Sequence, residues 1–289
     1  MQFSPVFMIA RDRAGQLRQF LEETITSRAA DCAATTIEGD EHRLWVVEAG
    51  RYEMRHLAPL LSESFTIADG HHRYETAVTY KHRELERAGT LERDHPARFA
   101  MTAVVAADDP GLIIRPIHRI VPRPAPADWR ERLATNFIVT PVPGAASDTR
   151  TLADARASAA ANTIVAANLE PGAIHVLTPR DEAVYARLAP EGHSEGWTRI
   201  GPNLCRYGVL EPLWGIGDAD LRAGAVEYTH DPTEVTDLLR GREGCAFLLH
   251  PVSVRETLAL ADLGERMPQK STFFHPKLGT GLVFHPLYP

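Results

Sequence analysis

The sequence has few cysteines and no long apolar run. Three cysteines, Cys32, Cys205 and Cys245, occur in 289 residues and none forms a CxxC pair, so neither a disulfide framework nor a zinc ribbon is expected. No apolar stretch approaches the roughly 20 residues that span a bilayer. The short apolar run at the N-terminus follows no basic segment, which argues against a secretory leader. We therefore expect a cytoplasmic protein with no membrane-embedded segment.

Positive charge is also in short supply. The chain has 31 Lys and Arg residues against 38 Asp and Glu residues, which gives a formal charge of -7. A nucleic-acid partner favours a basic protein surface, so this balance argues against nucleic-acid binding. Apolar residues make up 44% of the chain and charged residues 24%, as is typical of globular proteins, and this composition excludes intrinsic disorder.

Segments with strand and helix periodicity alternate along the chain. They predict a mixed α/β or α+β fold in which helices flank a mixed sheet. Among the predicted elements are a helix around 52–61, a helix over 72–89 that ends at Gly89, and strands at 182–187 and 281–286. Prolines and small residues accumulate over 116–127, where we expect a boundary or a long connection. The predicted parts are residues 1–122 and residues 123–289.

The densest group of chemically active residues is the segment ADGHHRYETA, residues 68–77. A predicted strand ends at Asp69 and Gly70, and the following helix presents its first backbone N–H groups, which favour anions. Arg73 can bind phosphate or carboxylate through two parallel hydrogen bonds. A single carboxylate such as Asp69 can hold Mg²⁺ that bridges to substrate phosphates. The segment therefore predicts a phosphate-and-metal site suited to phosphoryl transfer.

Two other interpretations of this segment stay open. The first is a helix cap whose polar residues are merely solvated. The second is a zinc site, in which His71 and Glu75 share a helix face and His82 or His95 completes the ligand set. Because His71 and His72 are adjacent and point in different directions, they do not form the histidine pair of an HExxH motif.

A second group of cations follows the apolar residues Leu112–Ile114. Arg115, His118 and Arg119 lie in the segment RPIHR. His118 and Arg119 are candidates to contact an anionic ligand. The alternative is a basic turn that neutralises nearby carboxylates.

Three separated segments, ADGHHRYETA, DDPGLIIRPIHR and GERMPQKSTFFHPKLGTGLVFHPL, resemble the signature blocks of the family known as domain of unknown function 1015. They cover nearly the whole chain in order. Members of that family usually carry a further N-terminal region with a PPYD-type motif ahead of the part that matches Ser4-Pro5-Val6-Phe7, and this sequence lacks it.

The last signature block contains Lys270, Ser271 and Lys277. It lacks the glycines of a GxxxxGK[ST] phosphate loop. Because the block belongs to the family signature, the resemblance implies that residues 265–285 pack back toward the same pocket and that these side chains contact phosphate or carboxylate. The alternative is that Phe273 and Phe274 anchor the loop and that the lysines are simply exposed.

The run Asp69-Gly70-His71-His72-Arg73 is also similar to the nucleotide-binding motif of the ParB/sulfiredoxin-like superfamily, whose free-serine kinases carry this pentapeptide. The likeness implies a ParB/sulfiredoxin-like core in residues 1–122, with ATP or ADP and Mg²⁺ as cofactors. It implies that Asp69 is linked to the metal and that Gly70, His71, His72 and Arg73 cradle the nucleotide phosphates.

A kinase acting on a hydroxyl group needs a general base. Glu48 and Glu75 are the acids near the motif in sequence, and Glu48 joins Asp69 and His71 as a catalytic candidate, the alternative being a solvated strand end. The leading hypothesis is a kinase of free serine or a similar hydroxy amino acid. A non-catalytic or regulatory nucleotide-binding protein of ParB type is the second hypothesis, and a metal-dependent hydrolase is the third.

Overall fold

The computed structural model describes residues 1–36, 39–48, 57–275 and 277–287. Its mixed α+β architecture, with several sheets and flanking helices, confirms the predicted fold class. The chain divides into two compact units, which are Met1–Ile113 together with Phe274–Pro289 (unit 1) and Ile114–Phe273 (unit 2). Over the described ranges, no helix has the length and apolar character that crossing a membrane requires.

Unit 1 is built on a three-stranded sheet. Its elements are β1 (Val6–Ala10), α1 (Gln16–Ser27), β2 (Cys32–Thr35), β3 (Glu41–Leu44), β4 (Thr66–Asp69), α2 (His71–Ala88), β5 (Thr102–Ala106) and β6 (Ile113–Arg115), the last of which leads into unit 2. The strand order is β4-β1-β5, where β1 runs antiparallel to β4 and parallel to β5. Strands β2 and β3 form a separate antiparallel pair. This arrangement places the start of β1 beside the end of β4.

Helix α1 packs its start against the sheet of unit 1. The buried carboxylate of Asp12 accepts the backbone N–H groups of Leu17 at 3.1 Å and Arg18 at 3.3 Å, which satisfies donors that the first helical turn leaves unpaired. Leu17 then joins the small apolar core of this unit, whose buried members are Ala10, Leu17, Leu57, Leu60 and Ala106.

Unit 2 is a continuous segment around a six-stranded sheet. Its elements are β7 (His118–Val121), α3 (Trp129–Ala134), β8 (Phe137–Val142), α4 (Thr149–Ser158), β9 (Ile164–Ala167), β10 (Ile174–Pro179), α5 (Ala183–Leu188), α6 (Glu195–Arg199), α7 (Gly201–Cys205), α8 (Glu211–Trp214), α9 (Asp218–Arg222), β11 (Glu227–Thr229), α10 (Pro232–Leu239), β12 (Cys245–Leu248), α11 (Val254–Asp262) and β13 (Phe273–His275), which leads back into unit 1. The strand order is β11-β7-β12-β9-β10-β8.

The two faces of this sheet carry separate apolar clusters. Along β9, Ile164 and Ala166 belong to one cluster, whereas Val165 and Ala167 belong to the other. This alternation follows from the two-residue period of a strand. Both faces of the sheet are therefore covered, and unit 2 has a core of its own.

Two predicted strands are wrong. Glu182 is the N-cap of helix α5, and residues 183–187 lie in that helix. Val184 and Leu188, four residues apart, both pack into the core, so the apolar positions follow a helical period. Residues 281–286 contribute a single bridge between Gln2 and His285. Val283 and Phe284 stay about half exposed, so no apolar face is buried there that would stabilise a longer strand.

Two further predictions concern connections. The proline-rich stretch 116–127 contains β7, which lies between β11 and β12; Pro116 and Pro122 flank the strand, so its residues keep the N–H groups that a sheet needs. The first half of the helix predicted around 52–61 lies outside the described residues, and the second half forms a turn followed by a 3-10 helix at Leu60–Ser62.

Candidate functional site

The segment singled out by the sequence forms a strand-to-helix junction. β4 ends at Asp69, and α2 begins at His71 and runs to Ala88. Gly70 between them has a φ of +92°, a left-handed conformation that favours glycine. At its other end the helix is closed by Gly89, whose N–H donates to the carbonyl of Leu85 at 2.8 Å. The predicted helix and its glycine cap are thus confirmed.

The guanidinium of Arg73 is held at this junction by acceptors from three positions. Nη1 donates to Ser4 Oγ at 2.6 Å and to the carbonyl oxygen of Pro5, and Nη2 donates to Asp69 Oδ2 at 2.5 Å. A Cβ on Gly70 would lie only 2.8 Å from three guanidinium atoms. The guanidinium therefore packs directly against Gly70.

Asp69 also faces a cation from the C-terminal segment. Nζ of Lys277 lies 3.7 Å from Asp69 Oδ1, and both side chains are about half exposed. Phe7 is opposite Asp69 in the sheet register, and its ring packs edge-to-face on Phe274 with centroids 5.5 Å apart. The Asp69–Lys277 ion pair and the two phenylalanine rings lie in one cleft of about 240 Å³. Its lining consists of Ser4, Phe7, Asp69, Arg73, Phe274, Lys277, Leu278 and Thr280. Sequence reasoning missed the lining residues Ser4, Phe7, Phe274, Leu278 and Thr280, whose place depends on long-range pairing.

The other candidates near the motif are more exposed. His71 and His72 occupy the first two positions of α2 with exposed side chains, and His72 Nδ1 is 3.4 Å from a carboxylate oxygen of Glu75. Glu48 is exposed in the segment that follows β3. The cleft lining does not include Glu48.

His118 and Arg119 lie in unit 2 and are buried there. His118 Nδ1 accepts the N–H of Leu249 at 3.2 Å, and burial, reinforced by the charge of Arg119, lowers the pKa of His118 to about 4. Arg119 donates to the carbonyl oxygens of Ile117 at 2.7 Å and Lys270 at 3.2 Å. Burial lowers the pKa of its guanidinium. These contacts give both side chains a structural role inside unit 2.

The last signature block contributes to both units. In unit 2, the Lys270 side chain is exposed and its backbone has a φ of +60°, whereas the buried hydroxyl of Ser271 donates to the carbonyl of Pro268 at 2.7 Å. In unit 1, Lys277 reaches Asp69. Of the cations predicted outside the motif, Lys277 is the one that lines the described cleft.

The arrangement also bears on the two metals that the sequence suggests, zinc and Mg²⁺. Over the described ranges, no three His, Cys, Asp or Glu side chains come together as a metal-binding group. The zinc site proposed around His71 and Glu75 thus lacks a ligand set among these residues. Asp69 fits Mg²⁺ better, because Mg²⁺ is commonly held by one or two carboxylates and completes its shell with water and substrate phosphates.

Comparison with known proteins gives no curated relative and a few distant structural neighbours. No curated protein matches the sequence significantly. Among solved structures, the chain is distantly similar to a point variant of free serine kinase in complex with ADP (13% identity, TM-score 0.39, 93% of this chain and 84% of that chain covered). A complex of the same variant with AMP has 12% identity, a TM-score of 0.39 and coverages of 95% and 88%. A conserved hypothetical protein from Pyrococcus furiosus has 14% identity, a TM-score of 0.37 and coverages of 97% and 96%.

The family comparison agrees with the first two of the three signature blocks. The sequence model of the family described as Protein of unknown function (DUF1015) matches residues 1–200. That range includes both the DGHHR motif and the RPIHR segment. The chain therefore belongs to the DUF1015 family.

Proposed function

We propose that this protein is a small-molecule phosphotransferase, specifically an ATP- or ADP-dependent kinase of free serine or a similar hydroxy amino acid. The observation that supports this most directly is the placement of Asp69 and Lys277. Their charged groups meet 3.7 Å apart in one cleft, beside the N-terminus of the 18-residue helix α2. Phosphoryl transfer needs mainly positioning and charge neutralisation, and these groups supply both.

Each of these groups has a role in the proposed reaction. Asp69 would hold Mg²⁺ that arrives with the nucleotide, and Mg²⁺ when bound neutralises charge on the phosphates. Lys277 would contact a phosphate oxygen as a point charge. The first N–H groups of α2, at His71 and His72, add the anion preference of a helix N-terminus.

The size of the cleft bears on which part of the reactants it holds. Its volume of about 240 Å³ is below the roughly 300–1,000 Å³ of common ligand pockets. The cleft therefore suits an amino acid and the transferred phosphoryl group better than an entire nucleotide. The hydroxyls of Ser4 and Thr280 and the rings of Phe7 and Phe274 line it. Glu48 stays our candidate for the general base.

A regulatory nucleotide-binding protein of ParB type is the second candidate function. It is favoured by one observation, which is that Glu48 does not line the cleft. A cleft that holds the phosphates without a base beside the acceptor hydroxyl binds nucleotide but does not transfer its phosphoryl group.

The test is a search for product. Purified protein is incubated with Mg²⁺ and either ATP or ADP, together with serine, threonine or another hydroxy amino acid, and phosphorylated products are detected by ³¹P NMR and mass spectrometry. We expect a product that depends on both nucleotide and acceptor. Asp69→Asn should lower turnover by ~100-fold or more, since it removes the charge opposite Lys277.

Asp94→Asn is the matched control, because Asp94 is an exposed carboxylate of the same unit outside the cleft. It should retain wild-type turnover, and both variants should keep the wild-type circular dichroism spectrum. Nucleotide binding without any phosphorylated product would support the second candidate. Full activity of Asp69→Asn would exclude Asp69 from the reaction.

A further inference from the structure

We infer that Arg73 is a positioning residue, which fixes the carboxylate of Asp69 and does not itself bind phosphate. The inference deepens the proposed function, and its kinetic test rests on that function. It differs from the role that the motif resemblance implies, in which Arg73 cradles the nucleotide phosphates.

The first support is the set of acceptors that Arg73 already serves. Both terminal nitrogens of the guanidinium donate to protein oxygens, Nη1 to Ser4 Oγ and the carbonyl of Pro5, and Nη2 to Asp69 Oδ2. A bidentate grip on phosphate requires two parallel N–H groups that face the ligand. Binding phosphate in that way would require Arg73 to give up contacts that link the start of β1 to the end of β4.

The second support is the packing of the guanidinium on Gly70. A side chain at Gly70 would place its Cβ 2.8 Å from Cζ, Nε and Nη2 of Arg73. The space that a side chain on Gly70 would occupy is therefore taken by the guanidinium of Arg73. The glycine provides both the turn after Asp69 and the room for this guanidinium.

The third support is that the two oxygens of the Asp69 carboxylate have different partners. Oδ2 is bonded to Arg73, whereas Oδ1 faces Lys277 across the cleft at 3.7 Å. A half-exposed aspartate samples several rotamers unless a partner restrains it. Arg73 supplies that restraint, and Oδ1 is left at the ligand side together with Lys277.

The kinetic test compares Arg73→Lys with wild type. Lysine keeps the charge but has one nitrogen in place of the fork, so it cannot serve β1 and Asp69 together. We expect kcat to fall by ~10-fold or more, with KM for the nucleotide changed by less than ~3-fold. Affinities for AMP, ADP and ATP, measured by calorimetry, should change by similar factors. A loss of affinity that grows with the number of phosphates would show that Arg73 binds phosphate and would overturn the inference.

Three further variants sharpen this test. Ser4→Ala removes one acceptor of Arg73 and should lower kcat in the same direction by a smaller factor. Adding Arg73→Lys to Asp69→Asn should cause no further loss of kcat, because Arg73 then has no carboxylate to position. Arg83→Lys, on the exposed face of the same helix, should behave as wild type. An Arg73→Lys variant with wild-type kcat and a lowered urea midpoint would mean a merely structural role, against the inference.

A measurement on the protein alone separates this inference from the proposed function. Urea unfolding of the wild type, Asp69→Asn, Arg73→Lys and the double variant forms a double-mutant cycle. Non-additive losses are expected, since the two side chains share a hydrogen bond. If wild type binds no nucleotide but the cycle is coupled, the proposed function fails and the Arg73 contact stands. An additive cycle contradicts the inference whether or not nucleotide binds.

Discussion

Gly70 shows how much of the site depends on one residue without a side chain. Its φ of +92° and the guanidinium of Arg73 packed against it each favour glycine. Gly89, at the other end of the same helix, has a φ of +75° but open space where a Cβ would lie. A comparison of substitutions at Gly70 and Gly89 therefore separates the cost of backbone strain from the cost of disturbing the contact with Arg73.

At this scale, we predict that Gly70→Ala costs more stability than Gly89→Ala. Positive φ strains any L residue by about 1 kcal/mol, which applies at both positions. At Gly70 the new methyl group also displaces the flexible end of Arg73 and weakens its hydrogen bonds, so the total loss should be about 2 kcal/mol. Urea unfolding measures both values. Equal losses in the two variants would show that the Arg73 contact contributes nothing.

Strand β7 shows, at the scale of an element, how a basic motif becomes part of a core. The strand lies between β11 and β12, and all four of its residues are buried. Successive side chains of a strand point to opposite faces, so His118 and Arg119 enter opposite sides of the sheet. Each bonds to a backbone group of unit 2, His118 to the N–H of Leu249 and Arg119 to the carbonyl of Ile117. His118 and Arg119 thus stabilise this sheet through hydrogen bonds on opposite faces.

This placement predicts a pH dependence of stability. Burial first, and then the charge of Arg119, lowers the pKa of His118 from its ordinary 6.5 to about 4. Between these two values the unfolded chain binds a proton that the folded chain does not, so stability is full above pH 6.5 and falls as the pH decreases to 4. The loss attributable to His118 should reach about 3 kcal/mol.

The measurement is the difference in unfolding free energy between wild type and His118→Asn, followed from pH 7 to pH 4. Asparagine keeps an acceptor but has no proton to gain, so the variant should lose less stability on acidification. His82→Asn, at an exposed position of α2, controls for the removal of a histidine. Parallel pH profiles for wild type and His118→Asn would contradict the prediction.

At the scale of the whole molecule, the two units differ in continuity. Unit 2 is one uninterrupted segment with its own apolar clusters on both faces of its sheet. Unit 1 combines the first 113 residues with the C-terminal segment, which supplies Phe274 against Phe7, Lys277 against Asp69, and the bridge from His285 to Gln2. The cleft exists because these two segments of unit 1 meet.

We therefore expect the segment 114–273 to fold by itself and residues 1–273 to lose the cleft. The isolated segment should unfold cooperatively in urea, because its core residues all lie within it. Deletion of residues 274–289 should leave that transition in place and remove nucleotide binding. Circular dichroism and calorimetry measure these outcomes. An unfolded segment 114–273 would show that this division of the core is wrong. Undiminished nucleotide binding by residues 1–273 would show that the C-terminal segment does not build the binding cleft.

The sequence by itself determined the features that depend on neighbouring residues. These are the mixed α+β class, the strand-to-helix junction at Asp69 and Gly70, and helix α2 with its cap at Gly89. Each follows from local periodicity, capping and backbone preference, which act over a few residues.

Only the tertiary structure decided which distant residues join the junction. It placed Ser4 and Phe7 beside Asp69, selected Lys277 among the lysines of the last signature block as the one that reaches this carboxylate, and buried His118 and Arg119 in the sheet of unit 2. It also placed Val184 and Leu188 together in the core of unit 2, so that the segment predicted as a strand at 182–187 is a helix. Strand register, burial and the return of the C-terminal segment are long-range effects, because free energy is gained only when segments far apart in sequence exclude water together.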